Sequence, residues 1–510
     1  MAGLKEQMLG SDMVVFVTPL YYFGMSAQLK TVVDRFYSFT GQLSAKGLRA
    51  RQINEIAVEQ TEVYDDENKT LTEGAPWKGI LSFMIPVLLG LLLQQLYNTV
   101  DTIIVGNFAG ESPLAAVGAC GVLTMAFLAL ANGFSAGACI LIAQLFGADK
   151  KEDMRRQASS SLLVMLSMGV LASVVGILIS RFALECILAT PDSLIPMADT
   201  YFKIYAAGLI FQFGYNIVAA ILRGIGDSKA TLYFLFVASV INVVLDILFV
   251  YNLNMGVAGA AIATDIAQAL SFVVGMIYMM KKYPLFRWKL NEFTFEWQLA
   301  RRSLKTGFPM ALQQFIVSFG FVFIQRAVNS YGEAMTGSFT VAQKLETYMT
   351  LPASALMTTQ GTYTGQNIGA NRLDRVKTGA KHTVLISEII SVCIVTLVFI
   401  FAEPLVTAFG LGPEAISYCT SHVRFVALCL PLFASYFPLL GLFQGANNAL
   451  YSTFVATGAL TVRVATTYLF QGIPGVGYHM IWWNTLFGWG FSTVVAWTHF
   501  LRGKWIQKSK

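Results

Sequence analysis

The chain has 510 residues, 55% of them hydrophobic and only 13% charged, with a mean hydropathy of +0.60. That composition excludes a soluble globular chain and predicts an all-α polytopic membrane protein. The net charge of +6 sits in loops between apolar runs, so no nucleic-acid partner is expected. Cys120, Cys139, Cys186, Cys393, Cys419 and Cys429 show no metal or redox spacing, and are expected to be small buried side chains.

No cleavable leader is read at the start of the chain. Met13–Thr18 is a strand candidate, Pro19–Ser26 is turn-like, and Ala27–Phe39 has helical apolar spacing. Pro19, Tyr21, Ser26, Leu29, Lys30, Asp34 and Arg35 resemble the middle of the flavodoxin-like FMN reductases. In that family a strand ends in Pro-x-Tyr, and a helix follows with Ser-x-x-Leu-Lys and Asp-Arg. One strand and one helix cannot build the doubly wound sheet whose crevice holds the flavin. Residues 1–60 are therefore expected to be a partial, non-functional fragment, and FMN binding is not expected. Residues 61–78 read as a charged tether into the membrane.

The first membrane helix is the most informative stretch. Gly79–Val100 carries no charge, and about 20 such residues span a bilayer. Asp101 then interrupts the apolar run, and Gln94, Asn98 and Asp101 fall on one face. Pro86 removes a backbone donor upstream and predicts a bend. These features predict a helix lining a pore rather than one facing only lipid.

Twelve helices are predicted, near 79–105, 114–145, 158–181, 200–222, 231–252, 257–280, 303–328, 335–367, 381–403, 418–443, 452–471 and 476–501. Residues 79–280 would form one six-helix bundle and 303–501 a second, joined by the loop 281–302 and followed by a basic tail, 502–510. Loops on one face hold 21 Lys and Arg against four on the other, so both termini are expected in the cytoplasm of a cell-membrane protein.

The halves repeat. Gln144-Leu-Phe-Gly147-Ala148-Asp149 recurs as Gln366-Asn-Ile-Gly369-Ala370-Asn371, an offset of 222 residues. Pro86 and Pro309 lie 223 apart, and Arg223-Gly224 and Gln444-Gly445 lie 221 apart. Two six-helix bundles of like topology, related about an axis along the membrane normal, suit rocking around a central cavity.

A charged group in the bilayer costs roughly 2.5–3.5 kcal/mol on insertion scales, so embedded acids are read as functional. Asn242 and Asp246 share one helix face, as do Asn98 and Asp101. Where those faces meet, the oxygens would suit a hard cation such as Na+, or two neighbouring carboxylates would suit a proton carrier. Asp265 is either a third acid of the cavity or the partner of a base. Glu346 is a further cavity candidate. Arg463 either pairs with an acid or a helix end, or contacts substrate.

Taken together, Pro86 with Asp101, Val105–Ala119, the two Gly-Ala loops, Ile221–Thr231, and Asn242–Asp246 followed by Gly259–Thr264 resemble the MATE (multidrug and toxic compound extrusion) family. The major facilitator alternative calls for a Gly-x-x-x-Asp-Arg loop that residues 147–156 do not fit. The MATE resemblance covers roughly residues 70–505 and implies a non-enzymatic antiporter. Such an antiporter exports amphipathic, often cationic compounds against inward H+ or Na+. It also implies a cation site of Asp101, Asn242, Asp246 and Thr264, with Pro86 as the bending point and Gln94, Asn98, Asp265 and Glu346 about the cavity. The partners expected are the bilayer, a small-molecule substrate and the coupling ion, and the chain is expected to act as a monomer. A lipid or lipid-linked glycan flippase and a membrane-anchored flavin reductase are the rival readings.

Overall fold

The computed structural model describes residues 71–188, 190–289, 292–473 and 475–505, and the fragment expected over 1–60 lies outside them. Among the described residues all regular structure is helical. The N-terminal half contains α1 (Pro76–Ile104), α2 (Glu111–Gly147), α3 (Lys151–Phe182), α4 (Ile195–Ala207), α5 (Leu209–Gly224), α6 (Ser228–Asp246) and α7 (Gly256–Lys282). The C-terminal half contains α8 (Trp297–Asn329), α9 (Glu333–Gly369), α10 (Leu373–Thr407), α11 (Pro413–Gly445), α12 (Ala449–Phe470) and α13 (Met480–Leu501). Helices α4 and α5 are one span bent by 45° at Gly208, so each half supplies six spans.

Eight of these helices are long and apolar enough to cross a membrane by themselves, and the bent pair makes nine. Of the remaining three, α9 and α12 bury polar groups inside the second bundle, and α13 is an apolar helix rich in Trp that carries one buried amide. Examples are Gln360 and Asn367 on α9, Arg463 on α12 and Asn484 on α13. Several helices outrun their apolar windows. The third begins at Lys151 rather than near 158, and α10 at Leu373 rather than near 381. The apolar run marks the hydrocarbon thickness, while the helix continues into the polar interface. Acids in the first turn, Glu152 and Asp153 of α3 and Asp374 of α10, favour those N-termini there.

Four helix ends on the face with the basic loops close in the same way. They are Gly147-Ala148-Asp149, Gly224-Ile225-Gly226, Gly369-Ala370-Asn371 and Gly445-Ala446-Asn447, and the third residue of each has φ between 54° and 99°. In each, the next amide reaches back past the helix end: Lys150 N to Leu145 O, Asp227 N to Leu222 O, Arg372 N to Asn367 O and Asn448 N to Phe443 O, at 2.8–3.0 Å. Asp, Asn and Gly tolerate that left-handed residue, which explains the residue types at these positions of the repeat.

Each half has its own apolar core, but the first helix of each half straddles the division. On α1, Ile80, Phe83 and Met84 pack on Ala355, Leu356 and Tyr363 of α9. Reciprocally, α8 lies along α2 so closely that a Cβ on Gly137 would strike the backbone of Gly307. Lipid tails are as apolar as side chains, so close backbone approach at small residues is what joins helices here. The loop 281–302 is not a free connector. Ser159 and Ser160 of α3 bond the backbone of Thr294 and Glu296, and Arg155 pairs with Glu292 at 2.8 Å. Gln157 Nε2 also donates to Ser303 Oγ on α8 at 2.8 Å.

Asp227, in the loop before α6, organises the same face. Its Oδ1 accepts from Ala230 N at 3.1 Å, capping α6. Its Oδ2 accepts from Tyr278 Oη at 2.9 Å, Lys282 Nζ at 3.0 Å and Tyr283 Oη at 2.7 Å. Burial pushes this carboxyl up, but Lys282 and the hydroxyl and amide donors outweigh it and hold it below the usual carboxylate range. Asp227→Asn is expected to lower stability by about 1–2 kcal/mol at neutral pH. Because the folded-state value is depressed, the contribution is present above about pH 4 and is lost as pH falls further. Melting curves of both proteins from pH 7 to pH 3 should therefore converge at the acid end.

Candidate transport site

Two regions concentrate polar groups inside the membrane part, and α1 runs through both. The first lies toward the face opposite the basic loops. The carboxyl groups of Asp101 on α1 and Asp246 at the end of α6 are in direct hydrogen-bonding contact. Asp246 is fully buried. Asn242, one turn earlier on α6, donates its amide to Asp246 Oδ2 at 2.8 Å and accepts from Thr264 N on α7 at 3.3 Å. Thr264 Oγ1 lies 3.5 Å from the hydroxyl of Tyr97. Asp101 Oδ1 and Asp246 Oδ1 are both buried without a partner. Two touching carboxyls shielded from water cannot both carry a bare charge; a proton or a cation must lie between them.

The helices widen at this point. Just beyond the two acids, α1 passes into a π-helical turn at Val105–Ala109 and α6 into another at Ile247–Asn252. The extra residue per turn re-aims the side chains around it. Phe108 and Tyr251, one from each turn, meet with ring centroids 4.8 Å apart.

The second region is a cavity of about 300 Å³ between the halves, nearer the basic face. Pro86, Gly90 and Gln94 of α1 line it, with residues of α2, α5 and α6 from the first half and α8, α9 and α11 from the second. Gln94 and Asp101 are seven residues apart, about 10 Å along the helix, so one helix carries both the cavity wall and an acid of the pair.

The stripe of Gln94, Asn98 and Asp101 expected on one face thus divides. Gln94 faces the cavity. Asn98 is exposed, and Tyr97 takes the place beside the acids. At about 100° per residue, Asn98 sits about 60° from Asp101 and Tyr97 only about 40°. The i−4 spacing from Asp101 was the signal for Tyr97.

Asp265 stands apart from the contact between Asp101 and Asp246. Its carboxylate lies against Gly208 at the bend between α4 and α5, where a Cβ would collide with it. Among the described residues it has no basic partner and does not line the cavity. Glu346 is also away from the cavity. It lies in the second bundle 3.7 Å from Arg463, whose Nε donates to Asn484 Oδ1 at 2.8 Å. Arg463 is therefore a packed ion-pair residue. Of the six cysteines, Cys186 and Cys393 are exposed rather than buried.

The MatE family model matches the chain twice, over residues 86–248 and 309–469, one match in each half. The chain belongs to the MatE family. It is a membrane transporter of small molecules, built as two six-helix bundles. A second family model, NADPH-dependent FMN reductase, matches residues 1–52. The chain is 29% identical to the "Probable multidrug resistance protein YpnP" of Bacillus subtilis over 442 residues, 85% of this chain and 97% of that one. Solved structures described as MATE in the bent and in the straight conformation match with TM-scores of 0.79 and 0.80 at 25% identity. They cover 86% of this chain and 96–97% of theirs.

The MatE repeat has a direct structural use. Gln144 at the end of α2 donates Nε2 to Gly445 O at the end of α11, at 2.8 Å. Its counterpart Gln366, at the end of α9, donates Nε2 to Gly224 O at the end of α5, at 2.9 Å. Each half thus satisfies a terminal helix carbonyl of the other. Gly147 and Gly369 allow this approach: a Cβ on Gly147 would strike Gln366 O, and one on Gly369 would strike Gln144 O. The clasp closes the cavity toward the basic face. Sequence spacing exposed these residues as repeat anchors but not their crosswise pairing, because contacts between halves leave no periodicity.

Gln366→Ala leaves Gly224 O unpaired and should cost about 1–3 kcal/mol. Gly147→Ala should cost at least as much through overlap with the opposing backbone. Both would appear as lower melting temperatures of the purified protein, with a larger fall in Gly147→Leu.

Proposed function

We propose that this MatE chain is a cation-coupled antiporter that exports amphipathic organic compounds by alternating access, with the coupling cation bound at Asp101 and Asp246. The observation that carries this reading is the buried contact between the carboxyls of Asp101 on α1 and Asp246 on α6, with α1 also walling the central cavity. The donor set is all oxygen, from Asp101, Asp246, Thr264 and Tyr97, which suits either H+ or a hard cation such as Na+. A proton shared by the two carboxyls and a hard cation bridging their oxygens would each neutralise the pair. No flavin has a role in this cycle.

Loss of the cation leaves two like charges in contact. Their repulsion would drive α1 away from α6, and Pro86, which cannot donate to its helix, lets the lower part of α1 follow. Movement of Pro86 and Gln94 changes the cavity, and opening toward the basic face requires the clasp to break. Two neutral hydrogen bonds are worth about 1–3 kcal/mol together. One charge crossing 100 mV supplies about 2.3 kcal/mol, so a single coupling cation is of the right size to tip this balance. The occurrence of bent and straight forms on this fold agrees with such a cycle. By the excess of Lys and Arg, the clasped face is assigned to the cytoplasm of a plasma-membrane protein, with both termini on that side.

Asp101→Asn is expected to insert and purify normally but to lose gradient-driven dye efflux from proteoliposomes. The pH and Na+ gradients should be imposed separately, with efflux responding to the gradient of the coupling ion. Full efflux by Asp101→Asn under either gradient would sink the assignment.

A further inference from the structure

The central cavity contains one charged side chain, and it is a base. Arg223, at the end of α5, is the sole Asp, Glu, Lys or Arg among the residues lining it. No acid balances it, since among the described residues Arg223 has no ion pair. Its Nε is buried without a partner, and its guanidinium lies beside the Cys139 thiol, a weak acceptor.

The local backbone does not need it either. Every carbonyl of the last turn of α5 is already taken: Ile221 O by Ile225 N, Leu222 O by Asp227 N, Arg223 O by Gly226 N and Gly224 O by Gln366 Nε2. The C-terminus of α5 tolerates a cation through its dipole, but that does not satisfy the guanidinium's donors. A buried donor without an acceptor is costly, and the cost is recovered when an acceptor binds. Three further side chains lining the cavity, Gln94, Asn132 and Gln314, come from three helices and, among the described residues, have no side-chain hydrogen bond. Amides donate or accept equally, so Arg223 alone sets the sign. The expectation of a cationic substrate draws no support from this lining.

We infer that the central cavity binds the acidic group of an amphipathic substrate, a carboxylate, sulfonate or phosphate, with Arg223 as its charge partner and the free amides as secondary donors. The volume suits a small organic acid or the headgroup end of an anionic lipid. The inference rests on the transport reading for its substrate but not on cation coupling, so it is tested by binding without any gradient.

The probes are fluorescein, which is anionic, and rhodamine 6G, a cation on the same ring system. Fluorescence anisotropy with the purified full chain in neutral detergent gives both affinities. The wild type should bind fluorescein more tightly than rhodamine 6G. Arg223→Gln should weaken fluorescein on the order of tenfold or more and leave rhodamine 6G unweakened. Arg223→Lys should keep most of the affinity, and Arg223→Glu should reverse the preference. Displacement of fluorescein by dihexanoyl phosphatidylglycerol would identify a lipid phosphate, and displacement by naphthalene-2-sulfonate alone a free organic acid. Tighter binding of rhodamine 6G by the wild type overturns the proposal even if a variant fails to fold. So does unchanged fluorescein affinity in a monodisperse Arg223→Gln. Full efflux by Asp101→Asn with fluorescein binding intact would count against the coupling site alone.

Discussion

Two glutamines decide how the halves of this transporter meet. A helix ends with carbonyls that have no partner of their own, and within a membrane protein those carbonyls must find donors. At α5 and α11 the last carbonyl is met by an amide from the opposite half, Gln366 for Gly224 and Gln144 for Gly445. The contact requires glycine at the approaching helix ends and a left-handed residue to turn the chain away immediately afterwards. The Gln-x-x-Gly-Ala-Asp/Asn repeat is therefore a set of matched parts for one joint. It is strong enough to close the cavity and weak enough, at a few hydrogen bonds, to open.

Much of this was legible in the sequence because the bilayer simplifies the problem. Charge-free runs located the spans, though α3 and α10 begin seven and eight residues ahead of them, and the 222-residue offset pointed to two like halves. Asp101, Asn242, Asp246 and Thr264, read partly from helix spacing and partly from family resemblance, do come together. What was not legible depends on angular drift or on contacts between distant helices. Asn98 and Tyr97 are neighbours in sequence, yet they flank Asp101 on opposite sides, about 60° and about 40° away around the helix, and only Tyr97 stands at the acids. The need for glycine at Gly208 is invisible locally, because the group a Cβ would strike there is the Asp265 carboxylate on another helix. The serines at 159–161 look like a polar start to a helix, but they fasten the inter-bundle connection.

The two halves share architecture but not charge. With an offset of 221 to 223 residues, Asp101 corresponds to Ile324, Asn242 to Arg463, Asp246 to Thr467 and Thr264 to Thr485. Where the first half has two acids, the second has none; where the first has an amide, the second has a base. That base is held by Glu346 and Asn484. Breaking a buried pair exposes an uncompensated charge and costs several kcal/mol, so the C-terminal counterpart is fixed rather than responsive. The acids of the first half have no base beside them, and a cation entering or leaving changes their net charge directly. The fold supplies both halves with the same proline-bearing first helix, Pro86 in α1 and Pro309 in α8. Only in α1 does that helix also carry a group whose charge can change. The halves therefore differ in function through a few side chains: the second is the anchor against which the first can move.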